Sequence, residues 1–532
     1  MIAKVYSAIP DGYDGKIIEV EGSMNHGLPA FNIVGMANKT VSEARERVRT
    51  AITNSGLIFP SKKLTISLAP AELIKNGSHL DLPIAIAALT LAQQLLPADL
   101  ERRLFVGELS LDGHLRPIRG IISIVEAARD AHFAEIYLPL ENLPHARLVP
   151  GIHPIGVRSL EELLLHLRSI KPILNTPPQP SPTAPQRSPS PTLDDIRGQS
   201  LAKRALTIAI AGHHNLLFSG PPGAGKTLLA QVALNLLPDP TPEEALAIAK
   251  INSLESTTPE IWSARPFRSP HHTASPISII GGGPHASPGE ITLANHGVLF
   301  LDELPEYPRA VLESLRQPLE DKTITITRAH QRTTYPANFM LIATMNPCPC
   351  GYLHDPTHTC RCSQTQIINY HRRLSGPILD RIDLILNISR VQTTDLTPTQ
   401  NVVKNTETPF RIPPQHKPKI VVKNTTTARR PFSEHDVVKN TITSARQIQH
   451  SRYQKPGFYN SSLSPRDIQK YARLTPDAQN LLQTAAAKLN FTARSYFKII
   501  KVARTIADLA AITEVGPEQI SESIALREQI SY

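Results

Sequence analysis

The run GPPGAGKT, Gly220-Pro221-Pro222-Gly223-Ala224-Gly225-Lys226-Thr227, sets glycines, a lysine and a hydroxyl at the spacing of a phosphate-binding loop. It follows a strand-like NLLFS and opens a helix-like LLAQVAL, the context such a loop requires. Glycines let backbone N–H groups turn inward around phosphates at a helix N-terminus. Lys226 brings positive charge to the β- and γ-phosphates, and the Thr227 hydroxyl can ligate Mg²⁺. A glycine-rich turn that binds nothing is the alternative, and the flanking elements argue against it. Further along, GVLFLDE ends the apolar run Val298–Leu301 in Asp302 and Glu303. In open α/β sheets the carboxyl edge of such a strand is where ligands bind. Asp302 is expected to hold magnesium through water, and Glu303 to orient and deprotonate the water attacking the γ-phosphate. An adjacent Asp-Glu pair alone is more often a solvated loop; the preceding strand and complete phosphate loop reverse that reading. A third run, FMLIATMN, ends at Asn346, whose amide can hydrogen-bond the γ-phosphate or the attacking water, or merely cap a turn before Pro347.

All four cysteines of the chain follow at once, as Cys348, Cys350, Cys360 and Cys362 in the pattern CPC-x9-CRC. Two thiolate pairs can close a tetrahedral Zn²⁺ site and pin a loop too polar to hold itself, with His354 or His358 able to replace one sulfur; unligated thiols are the alternative. Two basic insertions flank these motifs. RPFRSPHHTASPISIIGGG carries Arg265, Arg268, His271 and His272. TITITRAHQRTTYP reads as a β-hairpin with Arg328, His330 and Arg332 near its tip. The neighbouring histidines are expected to point apart, which disfavours a metal there.

The elements that position these groups fall into several units, since 532 residues exceed one domain. Residues 1–171 mix β-rich runs such as KLTISLAP with helical ones such as DLPIAIAALTLAQQLL, an α/β unit with its own core. Many of the 48 prolines concentrate in a Pro/Ser/Thr linker at 172–192. The phosphate-loop domain spans 193–390, with the cysteine loop at 346–363. From 391 to 461 the composition turns to Thr, Asn, Lys and Pro, with VVKNT beginning at Val402, Val421 and Val437. That interval reads as a disordered or weakly structured insertion. Helices close the chain over 462–532, their starts signalled by Ser464-Pro465 and Thr475-Pro476. The longest mainly apolar stretch, near Leu82 to Ala92, falls short of the ~20 residues needed to cross a bilayer. MIAKVYSAIPDGYDG has no signal-peptide core. The expected location is the cytosol, with no membrane partner. A net charge of +10 favours a polyanionic partner without requiring one.

The phosphate loop, GVLFLDEL, ATMNPCPCG, LSGPILDRIDL and RPFRSPHHTAS together resemble the ComM/YifB family of magnesium-chelatase-like AAA+ ATPases, over most of the chain outside the VVKNT interval. The resemblance implies a P-loop AAA+ core with an all-helical C-terminal lid, binding ATP and Mg²⁺ at the boundaries of a ring, usually a homo-hexamer. Arg381 then matches an arginine finger that reaches the neighbour's γ-phosphate; its alternative is an intrachain salt bridge to Asp380 or Asp383. Arg494, in FTARSYF, matches a second sensor reading the nucleotide of its own chain, with Arg504 as the fallback. The insertions would line a central pore and track a phosphate backbone, with solvated basic loops as the alternative. Single-stranded or branched DNA is the implied partner, and helicase or branch-migration work in transformation and recombination the implied task. The leader resembles a ribosomal-S5-like, Lon-protease-like α+β domain. His79 stands at the nucleophilic serine position and Ile122 at the lysine position, with Ser78 and Lys75 misplaced, so no Ser-Lys proteolysis is expected. An ATP-dependent unfoldase or protease, a metal-chelatase motor subunit and a nucleotide-gated scaffold are the other readings.

Overall fold

The computed structural model describes the chain apart from residues 1, 36–38, 74, 76–77, 175–190, 258–263, 284–285, 329–330, 354, 356–357, 391–432, 456 and 528–532. Most of the linker, most of the VVKNT interval, His330 and His354 lie outside the described residues.

Alternation of buried and exposed side chains builds the leader around a seven-stranded mixed sheet. Its order is Ala30–Val34, Lys63–Ala69, Asp14–Asn25, Ile2–Asp11, Arg103–Phe105, Glu135–Pro139, His153–Val157. The apolar run Asp81–Leu91 folds as a helix buried at every position. An all-round apolar helix of that length belongs inside a core, and it packs there against the long hairpin of the first two strands.

In the second unit, five short strands form an all-parallel sheet in the order Phe267–Arg268, Val298–Leu301, Met340–Met345, Leu216–Ser219, Leu384–Asn387. The central three are buried on both faces, as strands covered by helices must be. Because all run the same way, their carboxyl ends share one edge. The Met340–Met345 strand lies between the strand that leads into the phosphate loop and the strand that ends at Asp302. The predicted hairpin is present as Thr323–Arg328 paired antiparallel with Gln331–Pro336.

Ser464 and Thr475 cap the helices Pro465–Tyr471 and Pro476–Leu489 through their side chains, each with proline in the first turn. The helices Ala493–Leu509 and Pro517–Ala525 follow. The insertion assigned to 391–461 needs correction at its carboxyl end, where Glu434–Tyr453 is a helix capped by Ser433 and Asp436 and contains the third VVKNT. A polar composition concealed the narrow apolar stripe of Val438, Ile442 and Ala445. That stripe packs on the helix Ser200–Gly212 of the ATPase-like core. Arg446 donates to the Ile210 carbonyl at 2.7 Å and Gln449 to the Ala211 carbonyl at 3.0 Å, closing that helix's last turn.

Candidate nucleotide site

The loop Gly220–Thr227 leaves the sheet at Ser219 and enters the helix Lys226–Leu236. Gly223 and Gly225 hold left-handed φ values of 77° and 81°, and a Cβ added to either would meet nothing within 4 Å. Open space therefore lies beside both glycines at the helix N-terminus, where backbone N–H groups can receive a phosphate. The Lys226 ammonium folds back over the loop, donating to the Gly220 and Pro221 carbonyls and, at 3.0 Å, to Oδ1 of Asn346. Burial lowers its pKa to about 8 against the opposing pull of Asp302 and Glu303.

Asp302 and Asn346 leave adjacent strands at this same edge. Thr227 Oγ1 stands 3.5 Å from Asp302 Oδ2, a pair of oxygens suited to a hard divalent cation and its waters. Thr344 donates its hydroxyl to Asp302 Oδ1, while its oxygen accepts from the Glu303 backbone N–H at 3.0 Å. Sequence reasoning passed over Thr344. The available signal was a lone hydroxyl in a buried apolar strand, which must find a partner. Glu303 adopts a left-handed backbone, φ 53° and ψ 52°, uncommon for a side chain of its size and costing on the order of 1 kcal/mol. That turn accompanies a half-exposed carboxylate 4.0 Å from Nδ1 of His272. Tyr370 accepts from the Asn346 backbone N–H at 3.4 Å.

Arg381 precedes the strand Leu384–Asn387, whose parallel neighbour Leu216–Ser219 leads into the phosphate loop. It therefore sits at the amino edge of the sheet, with at least ~10 Å of strand between it and its own loop. Its guanidinium donates to the Arg316 and Pro377 carbonyls at 3.1 and 2.7 Å and pairs with Glu320 at 2.7 Å, so neither Asp380 nor Asp383 is its partner. Arg494 pairs with the other oxygen of Glu320, at 3.0 Å. Glu320 thus draws both arginines to one patch. Arg504, the fallback, is fully buried, bonded to Asp508 and to the Ile512 and Thr513 carbonyls, and is structural.

Asp383 joins core to lid. It accepts from the Asn215 N–H at 3.0 Å and pairs with Lys498 of the helix Ala493–Leu509 at 2.9 Å and with His214 at 3.6 Å. Burial alone would raise its pKa, yet the Lys498 charge and the His214 contact hold it well below the ordinary value.

Carboxylates elsewhere in the chain engage two of the basic side chains of the first insertion. Arg265 is buried against Glu244 at 2.6 Å, and Arg268 makes a two-pronged pair with Glu290 at 2.6 and 2.9 Å. Both are structural, because a carboxylate elsewhere in the chain meets each. Arg332 is exposed on the hairpin. His271 and His272 do not point apart: their rings lie 4.1 Å centroid to centroid. In the leader, Ser78 donates to Glu108, Lys75 to the Pro70 carbonyl, and His79 Nε2 lies 3.0 Å from the Arg119 carbonyl. Ile122 is buried, so no lysine addresses Ser78 from that position.

The four cysteines do converge. Cys348 lies 3.4 Å from Cys350 and 3.7 Å from Cys360, Cys350 lies 3.6 Å from Cys360, and all four sulfurs fall within 4.8 Å of one another. Backbone N–H groups of Tyr352 and Arg361 draw the Cys350 thiol down to about 6, whereas burial raises Cys348 to about 12.

A parallel sheet with a glycine loop at one strand's carboxyl edge and an Asp-Glu pair at the next defines a nucleotide-binding fold of the P-loop ATPase class. The family description "Magnesium chelatase, subunit ChlI" matches residues 192–396, "Subunit ChlI of Mg-chelatase" matches 20–142, and the ChlI C-terminal description matches 433–527. The chain is 38% identical over 533 residues to Competence protein ComM of Haemophilus influenzae, covering 99% of this chain and 98% of that protein. It is 39% identical over 535 residues to the uncharacterized protein YifB of Salmonella typhimurium, covering 99% and 97%. A shorter similarity, 27% over 146 residues, reaches Lon protease 2 of Bacillus subtilis, covering 26% of each chain. The chain belongs to the ComM/YifB family of magnesium-chelatase-like AAA+ proteins. Among the described residues no helix is long and apolar enough to cross a membrane.

Proposed function

We propose that this chain hydrolyses ATP in a ring of its own copies, usually six, and uses the energy to remodel single-stranded or branched DNA. The observation that carries this reading is the division of one catalytic set between opposite sheet edges. Gly220–Thr227, Asp302, Glu303 and Asn346 gather at the carboxyl edge, while Arg381 and Arg494 stand at the amino edge, paired with Glu320. A second copy stacked edge to edge brings the two halves together.

In that arrangement Lys226 and the loop N–H groups grip the β- and γ-phosphates. Thr227 and Asp302 would hold Mg²⁺, which supplies charge neutralisation on the phosphates. Glu303 takes a proton from the attacking water, oriented by the Asn346 amide. Arg381 of the adjoining copy leaves Glu320 and stabilises the charge developing on the transferred phosphoryl group, with Arg494 beside it. The metal we assign to the four thiols is a structural Zn²⁺.

Support for DNA comes from the net charge of +10, the exposed Arg332 on its hairpin, and similarity to a protein named for competence. The leader is read as an S5-like or Lon-like platform without proteolysis, since Ser78 is engaged by Glu108. A chelatase-type motor is the second reading, favoured by the match of the leader itself, residues 20–142, to a chelatase subunit description. ATPase rates measured alone, with forked or four-way-junction DNA, and with casein separate these readings. Stimulation by DNA is expected. Stimulation by casein alone would move the assignment to an unfoldase, and indifference to both would favour the chelatase-type motor.

A further inference from the structure

The described residues of 346–363 form neither helix nor strand, and of the four cysteines only Cys348 is buried. So irregular a loop has little core of its own, yet it abuts the phosphate loop. Gly351, at φ +83°, passes so close to the Pro222 ring that an added Cβ would stand 2.7 Å from Cδ. Its N–H donates to the Cys348 carbonyl at 2.9 Å, which ties this approach to the first cysteine pair. On the far side of the loop Arg390 donates to the Pro222 carbonyl at 3.4 Å and lies 3.5 Å from Asp355 and 3.3 Å from His358. Cys348 also follows Asn346 by two residues, and Asn346 meets Lys226. The chain between the cysteine pairs thus touches the nucleotide loop at Pro222, while Asn346 reaches its lysine.

Zinc–sulfur bonds of about 2.3 Å set tetrahedral sulfurs about 3.8 Å apart, close to the 3.4–3.7 Å separations among the Cys348, Cys350 and Cys360 sulfurs. None of the four is disulfide-bonded. We infer that Cys348, Cys350, Cys360 and Cys362 form a zinc clip that braces the phosphate loop, so that zinc occupancy sets nucleotide affinity. The inference rests on reading Gly220–Thr227 as a nucleotide loop. With zinc bound, Gly351 is held against Pro222 and Asn346 against Lys226; without it, the irregular segment loses its fixed point and both contacts loosen.

The test uses the full chain. Elemental analysis should find one zinc per chain, and a fluorescent ADP analogue should bind about tenfold more weakly after zinc chelation, with recovery on adding zinc back. Cys360→Ser should lose zinc and affinity together. Gly351→Ala, which leaves every thiol in place, should keep zinc and still weaken binding; it covers the case in which Cys360→Ser does not fold. Metal-free protein, or iron revealed by visible absorption, overturns the zinc clip. Stoichiometric zinc whose removal leaves affinity unchanged overturns the brace. Lys226→Ala should abolish binding at full zinc content; a wild-type chain that holds zinc but binds no nucleotide overturns the loop assignment and the coupling, leaving the metal site standing.

Discussion

At the scale of single residues, the site is governed by where charge is buried. Lys226 titrates near 8 because burial disfavours its charged form more than Asp302 and Glu303 favour it. Bound phosphates favour the ammonium and raise that value, so nucleotide binding takes up a proton above pH 8. Affinity should be highest below pH 8 and fall as pH rises through it. Calorimetry at pH 8.5 in two buffers of different ionisation enthalpy reads the proton directly; equal heats would remove this account. Lys226→Arg should abolish the uptake. Glu303→Gln should lower turnover at least ~100-fold while nucleotide binding persists, because only the proton acceptor is lost. A variant that turns over at the wild-type rate would transfer the general-base role to another group.

At the scale of elements, two helices of the lid fasten it to the core by different physics. Lys498, on Ala493–Leu509, is buried with its pKa lowered to about 8 by desolvation, Asp383 opposing that loss. Asp383→Asn leaves the ammonium without its counter-charge and should cost roughly 3–5 kcal/mol of stability in urea unfolding. A loss below 1 kcal/mol would show the cluster to be better solvated than its burial implies. Glu434–Tyr453 docks by apolar contact. Ile442 is fully buried against the core, and Ile442→Ala should cost about 2–5 kcal/mol. That helix was hidden in the sequence because its stripe is narrow and its neighbours are Thr, Asn and Lys. Its cap residues Ser433 and Asp436 and the spacing of Val438, Ile442 and Ala445 were the available signals.

At the scale of the whole molecule, the leader and the ATPase-like unit are joined through the helix Pro242–Glu255. Lys250 pairs with Asp14 at 3.2 Å and Glu126 at 2.6 Å, and Ser253 accepts the Gly120 N–H at 2.6 Å. Between copies, the opposite placement of Glu303 and Arg381 makes a mixing experiment decisive. Glu303→Gln and Arg381→Ala chains, each inactive alone, should regain partial ATPase activity when mixed, because some boundaries then pair an intact loop with an intact arginine. Mixtures as dead as their components would place both groups at one nucleotide and dissolve the shared site.

The sequence by itself determined what is written in consecutive residues. The phosphate loop, the apolar strand ending in Asp302 and Glu303, the hairpin and the capped helices depend on local spacing, and local spacing survives folding. Tertiary structure decided which charges remain available. Arg265, Arg268 and Arg504 look alike in the sequence as basic candidates, yet Glu244, Glu290 and Asp508 engage them. Arg381 and Arg494 meet only at Glu320, which no motif marked. Ion pairing depends on distance through space, and only the folded path of the chain sets that distance.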